Sequence, residues 1–382
     1  LEEAERRAIA ASPLIRAAGE RVHFEEGRLR QAGIYPNPDL SLETFRFTSG
    51  FDPKETVLSL RQPIPYHGKR ALEKKESSER VEVARRDLTR ERLDLLLAVR
   101  ESFYRIYYDG RIVGVEDEDV EATRALHRAA EARVAAGDAA PLEALKASVE
   151  ERRAANELGR ARGELLAEIA SFNLLLGLPA DAPTTVAEPE PVPEPADPLP
   201  VLQERALKNQ PAIAAREHAA LAAGFAAARA RLERRPDVAL GPTFGDDAGN
   251  LYAGVGVSLR LPLWNRNQGN LEAAEAARAG AVDEVDAARL AVARLVAESL
   301  GRYRSAWAQQ TLFEQGLLAE TAQLLESARK SYEGGESGIL ELLDARRTAI
   351  AVREEYYRAS LDAALAAVAL RRALGDDAGG AP

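Results

Sequence analysis

The chain has 382 residues, 29% of them charged and 5% aromatic, with a formal net charge of −10 and no cysteine. The acidic balance argues against a nucleic-acid partner, whose phosphates call for a basic surface. The lack of cysteine removes disulfides, thiolate metal sites and thiol nucleophiles. The longest apolar run, from Ala363 to Leu370, falls far short of the ~18 residues of a membrane-spanning helix, which leaves a membrane-spanning barrel open.

Residues 1–34 read as one helix rich in Ala, Arg and Glu, stopped by Tyr35-Pro36-Asn37-Pro38. No secretory signal is visible, and Leu at position 1 reads as a processed or trimmed start. Residues 38–47 alternate, with Leu40, Leu42 and Thr44 opposite Ser41, Glu43 and Phe45, which is the period of a strand. A turn at Gly50 to Pro53 leads into a second strand over 55–63, with Leu58 and Leu60 opposite Ser59 and Arg61. From Gly68 to about Ala135 the pattern is helical, with interruptions expected near Asp109-Gly110 and Gly114, and residues 140–176 return. The proline-rich acidic stretch 188–200 is an extended, stiff linker.

The second half repeats the scheme over 201–375: helix over 201–235, strands over 237–245 and 251–262, and helix from near Asn270. That helix reverses at Glu333 to Gly338 and returns to Leu374. On the return, Leu343, Ile350 and Tyr357 are spaced by seven and continue into Leu361, Leu365 and Val368, a seam for coiled-coil packing. The tail 376–382 reads as disordered. The duplication is direct. Ser12-Pro13-Leu14-Ile15 returns as Gln210-Pro211-Ala212-Ile213, Pro38-Asp39-Leu40 as Pro236-Asp237-Val238, and Leu176-Gly177 as Leu374-Gly375. A near-constant offset over the whole chain makes 1–187 and 201–375 two structural repeats.

Each strand has one apolar and one polar or Gly-rich face and a length that crosses a bilayer when tilted. A small soluble sheet with one face on a core has the same pattern. Three features favour the membrane. The strands form two hairpins separated by long helices. Trp264 follows the last strand where an interfacial aromatic belt would fall, and Tyr35, Phe47 and Tyr66 lie near other strand ends. Finally, four strands cannot close a membrane barrel, for which about eight is the usual minimum, so several chains must share one.

Several motifs resemble a known family. They are Leu29-Arg30-Gln31-Ala32-Gly33-Ile34-Tyr35-Pro36-Asn37-Pro38, Gln62-Pro63-Ile64-Pro65 with Gly68-Lys69-Arg70, Val257-Ser258-Leu259-Arg260-Leu261-Pro262-Leu263-Trp264, and the run Tyr332 to Ala345 containing Gly334-Gly335-Glu336-Ser337-Gly338. In order, and with the internal duplication, they resemble the TolC-type outer-membrane efflux proteins, nearest the branch serving heavy-metal efflux. The resemblance implies a mainly α chain with a small β part: a long antiparallel coiled-coil α-barrel crossing the periplasm, plus four transmembrane strands per chain that form a twelve-stranded barrel in a homotrimer. It implies a passive exit duct in the outer membrane, not an enzyme, working with a periplasmic adaptor and an RND-type inner-membrane pump. A duct for secreted polypeptides is the alternative within this fold. A soluble coiled-coil scaffold is the alternative outside it. A lipid-anchored member would need an N-terminal Cys, and none is present.

Within that frame, the reversals Ala136-Gly137-Asp138 and Gly334-Gly335-Glu336 are expected to be the tips that dock the adaptor. Glu341 and Asp344, spaced i and i+3, are expected to line the periplasmic constriction, where symmetry would gather their carboxylates and favour cations. Arg61, Arg260 and Ser258 are expected to face the barrel lumen, the arginines pairing with Glu43 or Asp237, and Trp264 to sit at the membrane interface. His23, His67, His127 and His218 lie far apart in sequence, so neither a metal centre nor a cofactor is expected.

Overall fold

The computed structural model describes residues 1–46, 54–247 and 249–376. Phe47, the turn Gly50 to Pro53 and the tail 377–382 lie outside the described residues.

The expected first helix is two helices, α1 (Glu2–Ala11) and α2 (Pro13–Ala32), and its repeat is likewise two, α5 (Leu199–Asn209) and α6 (Pro211–Leu232). The breaks at Ser12 and Gln210 have nearly the same backbone, φ −64° and ψ 120° against φ −69° and ψ 118°. The cause is the following proline, whose ring pushes the residue before it out of the helical region. That same proline then starts the next helix, where its missing N–H costs nothing.

The two longest elements go the other way. Helix α3 (Lys69–Ala136) runs unbroken for 68 residues through Gly110 and Gly114, where interruptions were expected. A helical glycine costs about 1 kcal/mol relative to alanine. Burial of Phe103, Ile106, Val115 and Val120 on either side outweighs it. Helix α4 (Pro141–Leu175) returns from it. Helix α7 (Gln268–Leu312) passes through a π-helical turn, Phe313–Leu317, into α8 (Leu318–Glu333), and α9 (Ile339–Leu374) returns.

The chain divides into two compact units. The first contains residues 1–15, 90–210 and 291–382. Its core is a series of small clusters. Ala8 of α1 packs with Val99, Phe103 and Ile106 of α3 and Phe172 of α4. Ala130 and Ala147 pack with Tyr332, Ile339, Leu342 and Leu343. On α9 the buried positions are largely small, with Ala345, Ala349, Ala359 and Ala363 beside Leu342 and Leu343. Of the expected seam, Leu343 and Val368 are buried, whereas Ile350, Tyr357, Leu361 and Leu365 are only half-buried, because alanine lets helix backbones approach where larger side chains cannot. The proline-rich segment is extended, and Val186, Pro189, Val192 and Pro195 are half-buried at every third residue, the period of a polyproline helix. The Tyr107 hydroxyl donates to Glu188 Oε1 at 3.1 Å, and Arg304 Nη2 donates to the Asp197 carbonyl at 3.1 Å. The last two residues of the expected linker, Leu199 and Pro200, already belong to α5.

The second unit contains residues 16–89 and 211–290. It holds one antiparallel sheet in the order β1-β2-β3-β4: β1 (Asp39–Arg46), β2 (Lys54–Ile64), β3 (Val238–Asp247) and β4 (Asn250–Leu259). Strand β4 stops at Leu259, short of the expected 262. Its last rung is Val238 with Leu259. The chain opposite continues into Asp237 and Pro236, and proline has no N–H to extend a ladder. Lys69, buried at the start of α3, ties this end together. Its Nζ donates to Asp237 Oδ1 at 2.8 Å and to the Arg235 carbonyl at 3.1 Å.

Candidate functional site

The sheet is the first candidate surface. Its register sets Leu40 opposite Leu60, Leu42 opposite Leu58, Leu58 opposite Phe244, and Leu240 opposite Val257. Because side chains alternate along each strand, these residues share one face with Val255, Leu251 and Leu259. That face is bare: Leu251 is 87% exposed and Val255 79%. A contiguous apolar face of this kind on a soluble surface would be a liability. The other face is small and polar. There Ser41 Oγ and Ser59 Oγ are 2.7 Å apart, and Gly241, Gly254 and Gly256 line up with Thr243. Tyr252 lies across Gly245, where an added Cβ would come within 2.0 Å of the ring, and its hydroxyl donates to Glu55 Oε1 at 2.8 Å. Both edge strands, β1 and β4, are unpaired on their outer sides among the described residues.

Arg61 sits on this polar face, but its Nη2 donates to Ser41 Oγ at 3.3 Å, not to Glu43 or Asp237. Asp237 is occupied by Lys69 and by the Tyr66 N–H at 2.7 Å. Arg260 lies one residue beyond β4, so the expected match with Arg61 inside the sheet does not form. Ser258 pairs with Ala239 on the polar face. Trp264 is 88% exposed in the segment after β4.

The two reversals are the second surface, and they are built alike. At the first, the Asp138 N–H donates to the Arg133 carbonyl at 2.9 Å and the Gly137 N–H to the Val134 carbonyl at 3.1 Å. At the second, the Glu336 N–H donates to the Ser331 carbonyl at 2.8 Å and the Gly335 N–H to the Tyr332 carbonyl at 3.1 Å. Both are Schellman caps, which need a left-handed residue. Gly137 at φ +83° and Gly335 at φ +73° supply it. Ala136, Gly137, Asp138, Gly334, Gly335 and Glu336 are all exposed. The cluster of Ala130, Ala147, Tyr332 and Ile339 packs just below them and brings the tips, far apart in sequence, to one end of this unit.

Glu341 and Asp344 lie exposed on the first turns of α9. Glu341 does something its spacing from Asp344 does not reveal: its Oε2 accepts the Gly338 N–H at 2.9 Å and caps the helix. Ion pairs hold the following turns of α9 to the neighbouring hairpin. Arg346 Nε meets Asp119 Oδ1 at 2.8 Å, Arg353 Nη1 meets Glu118 Oε2 at 2.7 Å, and Arg347 pairs with Glu150. Sequence spacing carries no signal for such pairs, since their members are some 200 residues apart.

Among the described residues no group of three or more His, Cys, Asp or Glu could hold a metal ion. Three of the histidines lie beside glutamates: His127 Nδ1 is 2.8 Å from Glu151 Oε2, His218 Nδ1 2.7 Å from Glu79 Oε2, and His23 Nδ1 3.6 Å from Glu20 Oε2. Among the described residues no helix is long and apolar enough to cross a membrane.

Comparison with known proteins agrees with this arrangement. The family described as "Outer membrane efflux protein" matches residues 6–178 and again 202–376, which is the internal duplication. The cobalt-zinc-cadmium resistance protein CzcC of Cupriavidus metallidurans is 28% identical over 375 residues, 94% of this chain and 86% of that protein. The cation efflux system protein CusC of Escherichia coli is 28% identical over 228 residues, 56% of this chain and 48% of that protein. Among solved structures, a CusC chain superposes with a TM-score of 0.83 at 20% identity, covering 98% of this chain and 91% of that one. VceC from Vibrio cholerae superposes with a TM-score of 0.81 at 19% identity, covering 98% and 95%. With both repeats matched and the fold shared nearly end to end, this chain belongs to the outer membrane efflux protein family, a family of channels and not of enzymes.

Proposed function

We propose that three copies of this chain form the outer-membrane exit duct of a tripartite efflux system. One observation carries the reading: a four-stranded sheet with an exposed apolar face and two edges that are open among the described residues. Four strands are too few to close a barrel, and an open edge is not tolerated in lipid. Edge-to-edge pairing of β4 with β1 of the next chain removes every edge and turns the apolar face to lipid. Arg61, Ser258 and the glycine rows then line the lumen, Arg260 stands at its rim, and Trp264 sits at the interface. The tips around Gly137 and Gly335 dock a periplasmic adaptor, which couples the duct to an RND-type inner-membrane pump. Glu341 and Asp344 form the periplasmic constriction. The cargo is cationic. The names of CzcC and CusC, the net charge of −10 and the exposed carboxylates at the start of α9 support this.

Native mass measurement in detergent tests the assembly, and conductance in planar bilayers tests the duct. Three chains and an open, cation-preferring conductance are expected. A closed monomer, or trimers without conductance, would overturn the reading.

A further inference from the structure

One buried contact in the first unit is explained neither by packing nor by the duct. Glu116 of α3 is 4% exposed, and its side chain lines the same small cavity as Glu354 of α9. Ionised carboxylates only accept hydrogen bonds, so these two groups can bond to each other only while one of them carries a proton. The wider surroundings are acidic. Asp109 and Asp119 of α3, and Glu157 and Glu164 of α4, face the same region, with Arg160 of α4 and Arg358 of α9 as its cations. Those cations are committed elsewhere in the group. Arg160 Nε donates to Glu157 Oε2 at 3.0 Å, and Arg358 Nη2 donates to Glu354 Oε2 at 3.1 Å. Asp119 is held by Arg346. Arg358 is therefore taken up by Glu354, whereas Glu116 pairs with no cation among the described residues. Burial first, and the Glu354 hydrogen bond second, push Glu116 up to about 8. A cavity of about 80 Å³ borders the pair and gives the side chains room to part.

We propose that Glu116 and Glu354 form a proton-operated latch: one shared proton holds α9 against α3, and its loss leaves two facing carboxylates that drive the helices apart. The latch adds to a tie between the same two helices that does not involve Glu116, the ion pairs Arg346–Asp119 and Arg353–Glu118. Helix α9 begins at the second tip and carries Glu341 and Asp344. Its loosening therefore sets the width of the periplasmic mouth, a consequence that rests on the duct reading above. Periplasmic acidification closes the latch and alkalinisation releases it.

The sign follows from linkage. A carboxyl whose folded value lies at about 8, against an ordinary 4.5, holds its proton in the closed form through that whole window. Each pH unit within it raises the opening equilibrium by up to about tenfold. Hydrogen exchange of the full chain in detergent reads this directly. Peptides covering 346–360 are compared at pH 6 and pH 8 after correction for the chemical exchange rate. Wild type is expected to open at least about tenfold more at pH 8. Glu116→Gln keeps a donor but cannot ionise, and should be flat across the two pH values. Asp109→Asn, a neighbouring carboxyl outside the pair, should respond like wild type. If Glu116→Gln does not accumulate folded, Glu354→Gln tests the same pair: the buried Glu116 still titrates, but with no carboxylate facing it the pH response should be clearly weaker than in wild type. A flat wild type, or a Gln variant that responds like wild type, overturns the latch. Absent bilayer conductance would overturn the duct while leaving the exchange result standing, so the two failures are distinguishable.

Discussion

Placing an arginine at Val255 tests the membrane-facing assignment most directly. Val255 lies in the middle of β4, opposite Pro242 and on the face shared with Leu240, Val257 and Phe244. In the proposed barrel this position meets the hydrocarbon near its midplane, where an arginine on the lipid face costs about 2–4 kcal/mol. Three copies in one closed barrel bring that to about 6–12 kcal/mol, as large as the total stability of an ordinary domain, about 5–15 kcal/mol. The control is the adjacent residue. Gly254 points to the opposite face, and a Cβ there meets nothing within 4 Å, so Gly254→Arg enters a wet lumen at little cost. Outer-membrane fractions of the two variants are compared for trimer content, and the purified chains for folding into lipid vesicles against denaturant. Val255→Arg should lose nearly all assembled trimer and Gly254→Arg should retain most of it. Equal losses, or normal assembly of Val255→Arg, would refute the assignment of faces.

Valine at Gly137 or Gly335 forces a left-handed backbone that costs about 1–2 kcal/mol each, and since a Cβ at either meets nothing within 4 Å the cost is confined to the turn. Trimers should persist while pump-dependent metal resistance is lost. Replacing Glu341 with Gln and Asp344 with Asn keeps the helix cap but removes both charges. Single-channel recordings should then lose block by divalent cations added on the helical side, and Glu341→Ala should in addition lower stability by about 1 kcal/mol through the lost cap. Gln210 Nε2 donates to the carbonyls of Arg372 and Ala373 at 2.7 Å each. Gln210→Ala leaves these buried groups unpaired, so a loss of about 1–3 kcal/mol is expected in thermal or denaturant unfolding.

Local chemistry was open to the sequence. Strand faces follow from alternation, as Leu40, Leu42, Leu58 and Leu60 illustrate, and the register then joins them into one surface. The tips follow from glycine placed where two long helical patterns stop, and the duplication from a constant offset. The breaks at Ser12 and Gln210 were equally local, since each is the residue before a proline, yet the long helical periodicity around them hid the rule.

What the tertiary structure alone decided are contests between distant groups. Whether Gly110 and Gly114 break α3 depends on how much Phe103, Ile106, Val115 and Val120 bury against other elements. Whether Asp237 receives Arg61 or Lys69 depends on which cation the fold delivers, and the buried Lys69 arrives first. Where β4 ends depends on Pro236 across the ladder. Glu116 had one local clue, since it stands four residues before Val120 and seven before Thr123, on the buried stripe of α3. Its partner Glu354 is more than two hundred residues away, and no period or spacing in the sequence couples them. Propensity and alternation act over a few bonds, whereas burial and charge pairing act through space, and only the folded chain states which groups share that space.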